Sequence, residues 1–140
     1  MKKIIAFTLS LALTACGTVP LTGRKQLTAI PTSQMLSLSM DSYQKVLNEN
    51  EISNNQVYIQ MVNSVGQNIS KAVEKYMRQN GMADRVKNYK WEFNVLKSDQ
   101  LNAWCMPGGK IAFYEGIMPV CDDQNGVAVV MAHEVAHAVA

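Results

Sequence analysis

The chain has 140 residues, 48% hydrophobic and 17% charged, with a formal net charge of +2. That balance suits one globular domain and excludes disordered, collagen-like and low-complexity classes. The net charge is small and no run of Lys and Arg forms a stripe, so no nucleic-acid partner is expected.

The first residues, MKKIIAFTLSLALTAC, place Lys2 and Lys3 before an apolar stretch from Ile4 to Leu13. A charged start and a short apolar core is the layout of a secretory signal peptide. The stretch is shorter than the roughly 20 residues that span a bilayer as a helix. Leu13-Thr14-Ala15-Cys16 resembles the bacterial lipobox, which predicts a leader over residues 1–15 and a lipid-modified Cys16 anchoring the chain to a membrane. Gly17 stands where an Asp would signal inner-membrane retention, so the expected address is the bacterial envelope, on the periplasmic face of the outer membrane. Residues 16–31 mix Gly, Pro, Thr and basic residues without a period and read as a tether.

A helix is predicted from Thr32 or Ser33, with Leu36, Met40, Tyr43 and Leu47 on one face and Asn48 to Asn50 as its end. A second helix starts at a cap on Ser53 or Asn54, carries Tyr58, Val62, Val65, Ile69, Ala72 and Tyr76 as its stripe, and stops at Asn80-Gly81. The period then changes. Tyr89, Trp91, Phe93 and Val95 alternate with Lys90, Glu92 and Asn94, the pattern of a half-buried strand. Pro107, Gly108 and Gly109 suit a tight turn, so residues 101–115 are predicted to form a hairpin beside that strand. Asp122 or Asp123 can cap a last helix from about Gln124.

That helix, VAVVMAHEVAHAVA, is apolar on every side apart from His133, Glu134 and His137, which predicts burial. Buried imidazoles and a carboxylate need partners, and these three residues form H-E-x-x-H. Histidines four apart share a helix face and can hold one Zn²⁺. Glu134, one residue on, is placed to act as a general base on a water beside the metal. The competing reading is a buried helix whose histidines bond backbone carbonyls. Cys105 and Cys121 are 16 residues apart and, in an exported chain, can pair as a disulfide or remain two small buried residues.

The segment NAWCMPGGKIAFYEGIMPV followed by VVMAHEVAHAVA resembles the zinc metalloendopeptidases related to HtpX and the CAAX prenyl endopeptidase, and within them the periplasmic lipoprotein branch of BepA and LoiP. The resemblance covers residues 30–140. It implies that His133 and His137 are zinc ligands, that Glu134 is the catalytic base, and that Asn102, Ala103 and Trp104 lie on a substrate-facing edge strand. It also implies polypeptide substrates, misfolded or envelope proteins. The family's third ligand, a glutamate on a later helix, has no counterpart before Ala140, and Glu115, Asp122 and Asp123 do not match its position. The chain is therefore expected to be the N-terminal part, residues 32–140, of a larger zinc-peptidase domain. The expected fold is α+β: two helices, a small sheet with a hairpin, then a buried zinc-binding helix. The alternative function is a truncated, inactive lipoprotein that binds peptides without cutting them.

Overall fold

The computed structural model describes residues 16–18, 25–27 and 30–139. The leader and most of the tether lie outside the described residues. Two short strands from the tether, β1 (Cys16–Thr18) and β2 (Lys25–Leu27), pair antiparallel, where an aperiodic segment was expected. No described helix is long and apolar enough to cross a membrane.

Helix α1 (Thr32–Glu49) starts and ends where its spacing predicts. Helix α2 (Gln56–Gln79) begins one residue later than expected. The Asn55 side chain caps it, accepting from the N–H groups of Val57 at 3.1 Å and Tyr58 at 3.3 Å. Ser53 is engaged elsewhere, its hydroxyl accepting from the Asn55 N–H and donating to Glu115. Gly81, at φ +72°, ends α2 as expected, and the single turn α3 (Ala83–Val86) follows.

Three strands make the main sheet: β3 (Glu92–Leu96), β4 (Ala103–Met106) and β5 (Lys110–Tyr114). The central strand is β5, parallel to β3 and antiparallel to β4. The β4–β5 hairpin turns at Pro107-Gly108-Gly109, where the glycines hold φ of +89° and +79°. A side chain at Gly109 would also stand 2.6 Å from the Trp91 ring.

Both faces of this sheet are covered. Val95, Ala103, Ile111 and Phe113 join the main core with α2 and the last helix, α5 (Gln124–Val139). On the opposite face, α1 lays Tyr43 over a polar layer. The Tyr43 hydroxyl accepts from the Asn94 amide at 2.8 Å, and its ring meets Trp104 edge-on at 5.8 Å. Lys110, only 4% exposed, bonds Glu92 at 3.0 Å and the Lys90 carbonyl at 2.7 Å. After β5, a 3₁₀ turn (Glu115–Ile117) and the short α4 (Met118–Cys121) lead into α5.

The two sheet edges differ. Residues 51–53 cover the outer edge of β3: the Ser53 N–H bonds the Val95 carbonyl, and the Lys97 N–H bonds the Glu51 carbonyl, each at 2.8 Å. No described backbone group bonds the outer edge of β4. The architecture is α+β, with one open strand edge lying against α5.

Candidate metal centre

Helix α5 starts at Asp123, whose carboxylate accepts from the N–H groups of Asn125 at 2.7 Å and Gly126 at 3.0 Å. The Gly126 bond, helped by those from Asn125, holds this carboxyl below the usual carboxylate range. The helix buries Val127, Met131, Val135 and Val139, a stripe at four-residue spacing. Its composition predicts burial on every side, and the structure corrects that expectation. Val129 is 72% exposed, and Ala132, His133, Ala136 and His137 are exposed too. The physical reason is that its main neighbours, α2, β4 and α4, cover the Val127–Val139 stripe and leave these residues in contact with solvent.

His133 and His137 project from the exposed side. Their Nε2 atoms lie 3.1 Å apart, with the rings 4.6 Å centre to centre and nearly perpendicular. The two Nε2 atoms face each other at hydrogen-bond distance, with donor and acceptor set by the tautomer, and neither ring bonds a described backbone carbonyl, unlike the competing reading. With Zn–N bonds of about 2.0–2.1 Å, nitrogens at this separation subtend about 100° at one ion, close to tetrahedral. The pair therefore fits two corners of a zinc site. Among the described residues no group of three or more His, Cys, Asp or Glu comes together. The acids that precede the helix in sequence are engaged elsewhere: Glu115 accepts from Ser53, Asp123 caps α5, and Asp122 sits at φ +66° in the link between helices.

Glu134 is half-buried, next to the pair and facing β4. Its neighbour there is Cys105. Burial, and secondarily the Glu134 charge, push the Cys105 thiol up to about 12. In the sequence Cys105 stands out only as half of a possible disulfide. Its position two residues after Ala103 is the signal that puts both side chains on one face of β4. The disulfide does not form, and both cysteines are free thiols. Cys121 packs at Gly126, near the start of α5, and Cys105 faces Glu134, eight residues further along. At 1.5 Å per residue those two points lie about 12 Å apart along the helix, so the thiols sit against different turns of α5.

The three residues expected on the edge strand divide. Trp104 turns to the far face, packing on Tyr43 and donating to the Tyr114 hydroxyl at 3.4 Å. The Asn102 carbonyl accepts from the Tyr114 N–H at 3.0 Å, which makes Ala103–Phe113 a pair that exchanges no ladder bonds. By the alternation of an antiparallel ladder, the N–H and C=O groups of Ala103 and Cys105 then point outward from β4. The open edge is thus a row of backbone donors and acceptors beside Glu134 and the histidine pair.

H-E-x-x-H on a helix is a sequence motif of zinc peptidases, and here that helix lies against an unpaired strand edge. The chain belongs to peptidase family M48, whose profile matches residues 36–140. It is similar to the mitochondrial metalloendopeptidase OMA1 of Schizosaccharomyces pombe, 30% identical over 122 residues, covering 87% of this chain and 34% of that protein. The OMA1 proteins of Saccharomyces cerevisiae (38% over 63 residues, 44% of this chain and 17% of the relative) and Arabidopsis thaliana (34% over 72 residues, 51% and 15%) match shorter parts. The chain spans about a third, or less, of the length of these relatives.

The family-level resemblance holds: the matching profile is that of peptidase family M48. The expected address does not. Relatives named as mitochondrial enzymes overturn the reading of a lipid-anchored protein on the periplasmic face of a bacterial outer membrane.

Proposed function

We propose that this chain supplies two zinc ligands, His133 and His137, and the general base, Glu134, of a peptide-bond hydrolase acting on extended segments of unfolded or misfolded polypeptides. The observation that carries the reading is the convergence of two imidazole nitrogens to 3.1 Å beside a carboxylate and an open strand edge. Bound by that pair, zinc would supply Lewis-acid polarisation of the scissile carbonyl. The chain's own groups do the rest. The outward N–H and C=O groups of Ala103 and Cys105 hold the substrate backbone by strand addition, which tolerates many side chains. Glu134 accepts the proton of the attacking water and passes it to the leaving amine. A catalytic zinc ordinarily takes three protein ligands, so the proposal requires a third donor beyond the described residues.

The two-donor set also supports a second reading, a module that binds peptides on β4 and does not cut them. One experiment separates the two. The full-length protein is given zinc and an unfolded fluorogenic polypeptide. Cleavage should stop with chelator and return with added zinc. Glu134→Gln should lower kcat by about 10²–10⁴-fold with zinc content unchanged. Peptide binding without zinc-dependent cleavage would leave the binding module standing.

A further inference from the structure

Beside the histidine pair lies a cleft of about 650 Å³ for which the proposed chemistry has no use. It runs from His137 and Cys105 to the start of α1 on one side and to α3 and its following loop on the other. Its polar lining favours negative charge. Thr32 and Ser33 bring hydroxyls, and Arg85 and Lys87 bring cations. Asp84 is the one acid in this lining, and it pairs with Lys87 at 2.8 Å. Arg85, exposed, has no ion-pair partner among the described residues. One positive charge is therefore left over, in a concave site lined with donors. A carboxylate entering it gains attraction and hydrogen bonds, and an ammonium meets repulsion.

The strand geometry says which part of a substrate arrives there. Antiparallel pairing is the more stable addition to an edge. A chain antiparallel to β4 has its N-terminal residues alongside Cys105 to Pro107, the end at which β4 meets the cleft. We propose that this cleft is a specificity site for Asp and Glu side chains on the N-terminal side of the bond cut, with Arg85 as the selecting residue. The proposal rests on the peptidase reading above.

The test uses the full-length, zinc-loaded protein and matched peptides carrying Glu or Lys two to four residues before a common cleavage site. A second set carries the same swap after that site. The Glu peptide of the first set should be cut about two- to fivefold more efficiently, as expected for one partly screened charge pair. The preference should shrink in high salt. Arg85→Glu, a surface change, should abolish or invert it with zinc content unchanged. In parallel, the Glu134→Gln protein is titrated with the same peptides by fluorescence anisotropy, which reads the preference without cleavage. If nothing is cut but the anisotropy preference and its reversal persist, the peptidase reading fails and the cleft's preference for acidic side chains stands. Equal handling of Glu and Lys in both assays, a preference confined to the second set, or one that Arg85→Glu leaves intact would overturn the cleft proposal.

Discussion

His133 and His137 bring their Nε2 atoms within 3.1 Å of each other while both rings remain exposed on α5. Two neutral imidazoles that close can share one N–H···N bond when one carries its proton on Nε2, and a metal ion replaces that bond by accepting both Nε2 lone pairs. Replacing either histidine with Ala should therefore weaken zinc binding by more than about a hundredfold, since a two-ligand clamp becomes a single ligand. Competition against a zinc-responsive dye reads this directly. Wild-type affinity in either variant would show that the metal is held elsewhere.

The open edge of β4 makes a different prediction, in the substrate and not in the protein. Outward ladder groups at Ala103 and Cys105 bond alternate residues of an added strand, so only every second amide of the peptide matters. N-methylation at those amides should raise KM about fivefold to tenfold each, the worth of about one hydrogen bond. Methylation at the intervening amides should change it little. A flat response along the peptide would remove β4 from the binding site.

Much of this arrangement is legible in the residues, for identifiable reasons. The bounds of α1, the Asn80-Gly81 stop, the hairpin and the Asp123 cap all follow from local chemistry that neighbours do not override. The H-E-x-x-H pair is legible because four-residue spacing on a helix leaves its side chains nowhere else to point. What escapes is tertiary. Glu92, Asn94 and Lys110 alternate as a solvent face would, yet α1 covers them, and Tyr43 joins the polar layer they form. Ala72 and Tyr76 fall on the apolar stripe of α2 and stay exposed, Tyr76 by 49%, because the α2–α5 groove beside them is open. Spacing also cannot separate the cap at Asn55 from Ser53 and Asn54, since the choice depends on Glu115 claiming the Ser53 hydroxyl.

Gly66 tests the contact that seats α2 on the sheet. An added Cβ there would run into the Phe93 ring. Glycine in a helix interior costs about 1 kcal/mol relative to Ala, so Gly66→Ala would stabilise an isolated α2. Overpacking in a core costs about 1–3 kcal/mol, and Phe93 is held between α2 and β5. The second effect should win, leaving Gly66→Ala about 1–2 kcal/mol less stable in urea unfolding. Combining it with Phe93→Leu should recover part of the loss, because the two changes share one contact. A single mutant more stable than wild type would mean that the helix and sheet adjust at no cost.

Tyr43 links the polar layer to alkaline stability. Burial, against the opposing Asn94 hydrogen bond, pushes its phenol up to about 12 from an ordinary value of 10. The folded protein thus prefers the neutral phenol more than the unfolded chain does. A group raised in the folded state contributes stability that is fully present below its unfolded value and is lost as pH rises through the folded one. The window is pH 10 to 12, and a shift of that size is worth about 2–3 kcal/mol across it. Tyr43→Phe removes the titration together with the acceptor for the Asn94 amide and the donor to the Ile111 carbonyl at 3.4 Å. At pH 7 it should be about 1–2 kcal/mol less stable than wild type, the cost of one good and one long hydrogen bond. Above pH 10 that gap should close and then reverse, because wild type alone must bury or ionise a phenol. Unfolding free energies of the two proteins, measured at half-unit steps from pH 8 to 12, decide it. A gap that stays constant to pH 12 would mean that Tyr43 titrates as it does in the unfolded chain.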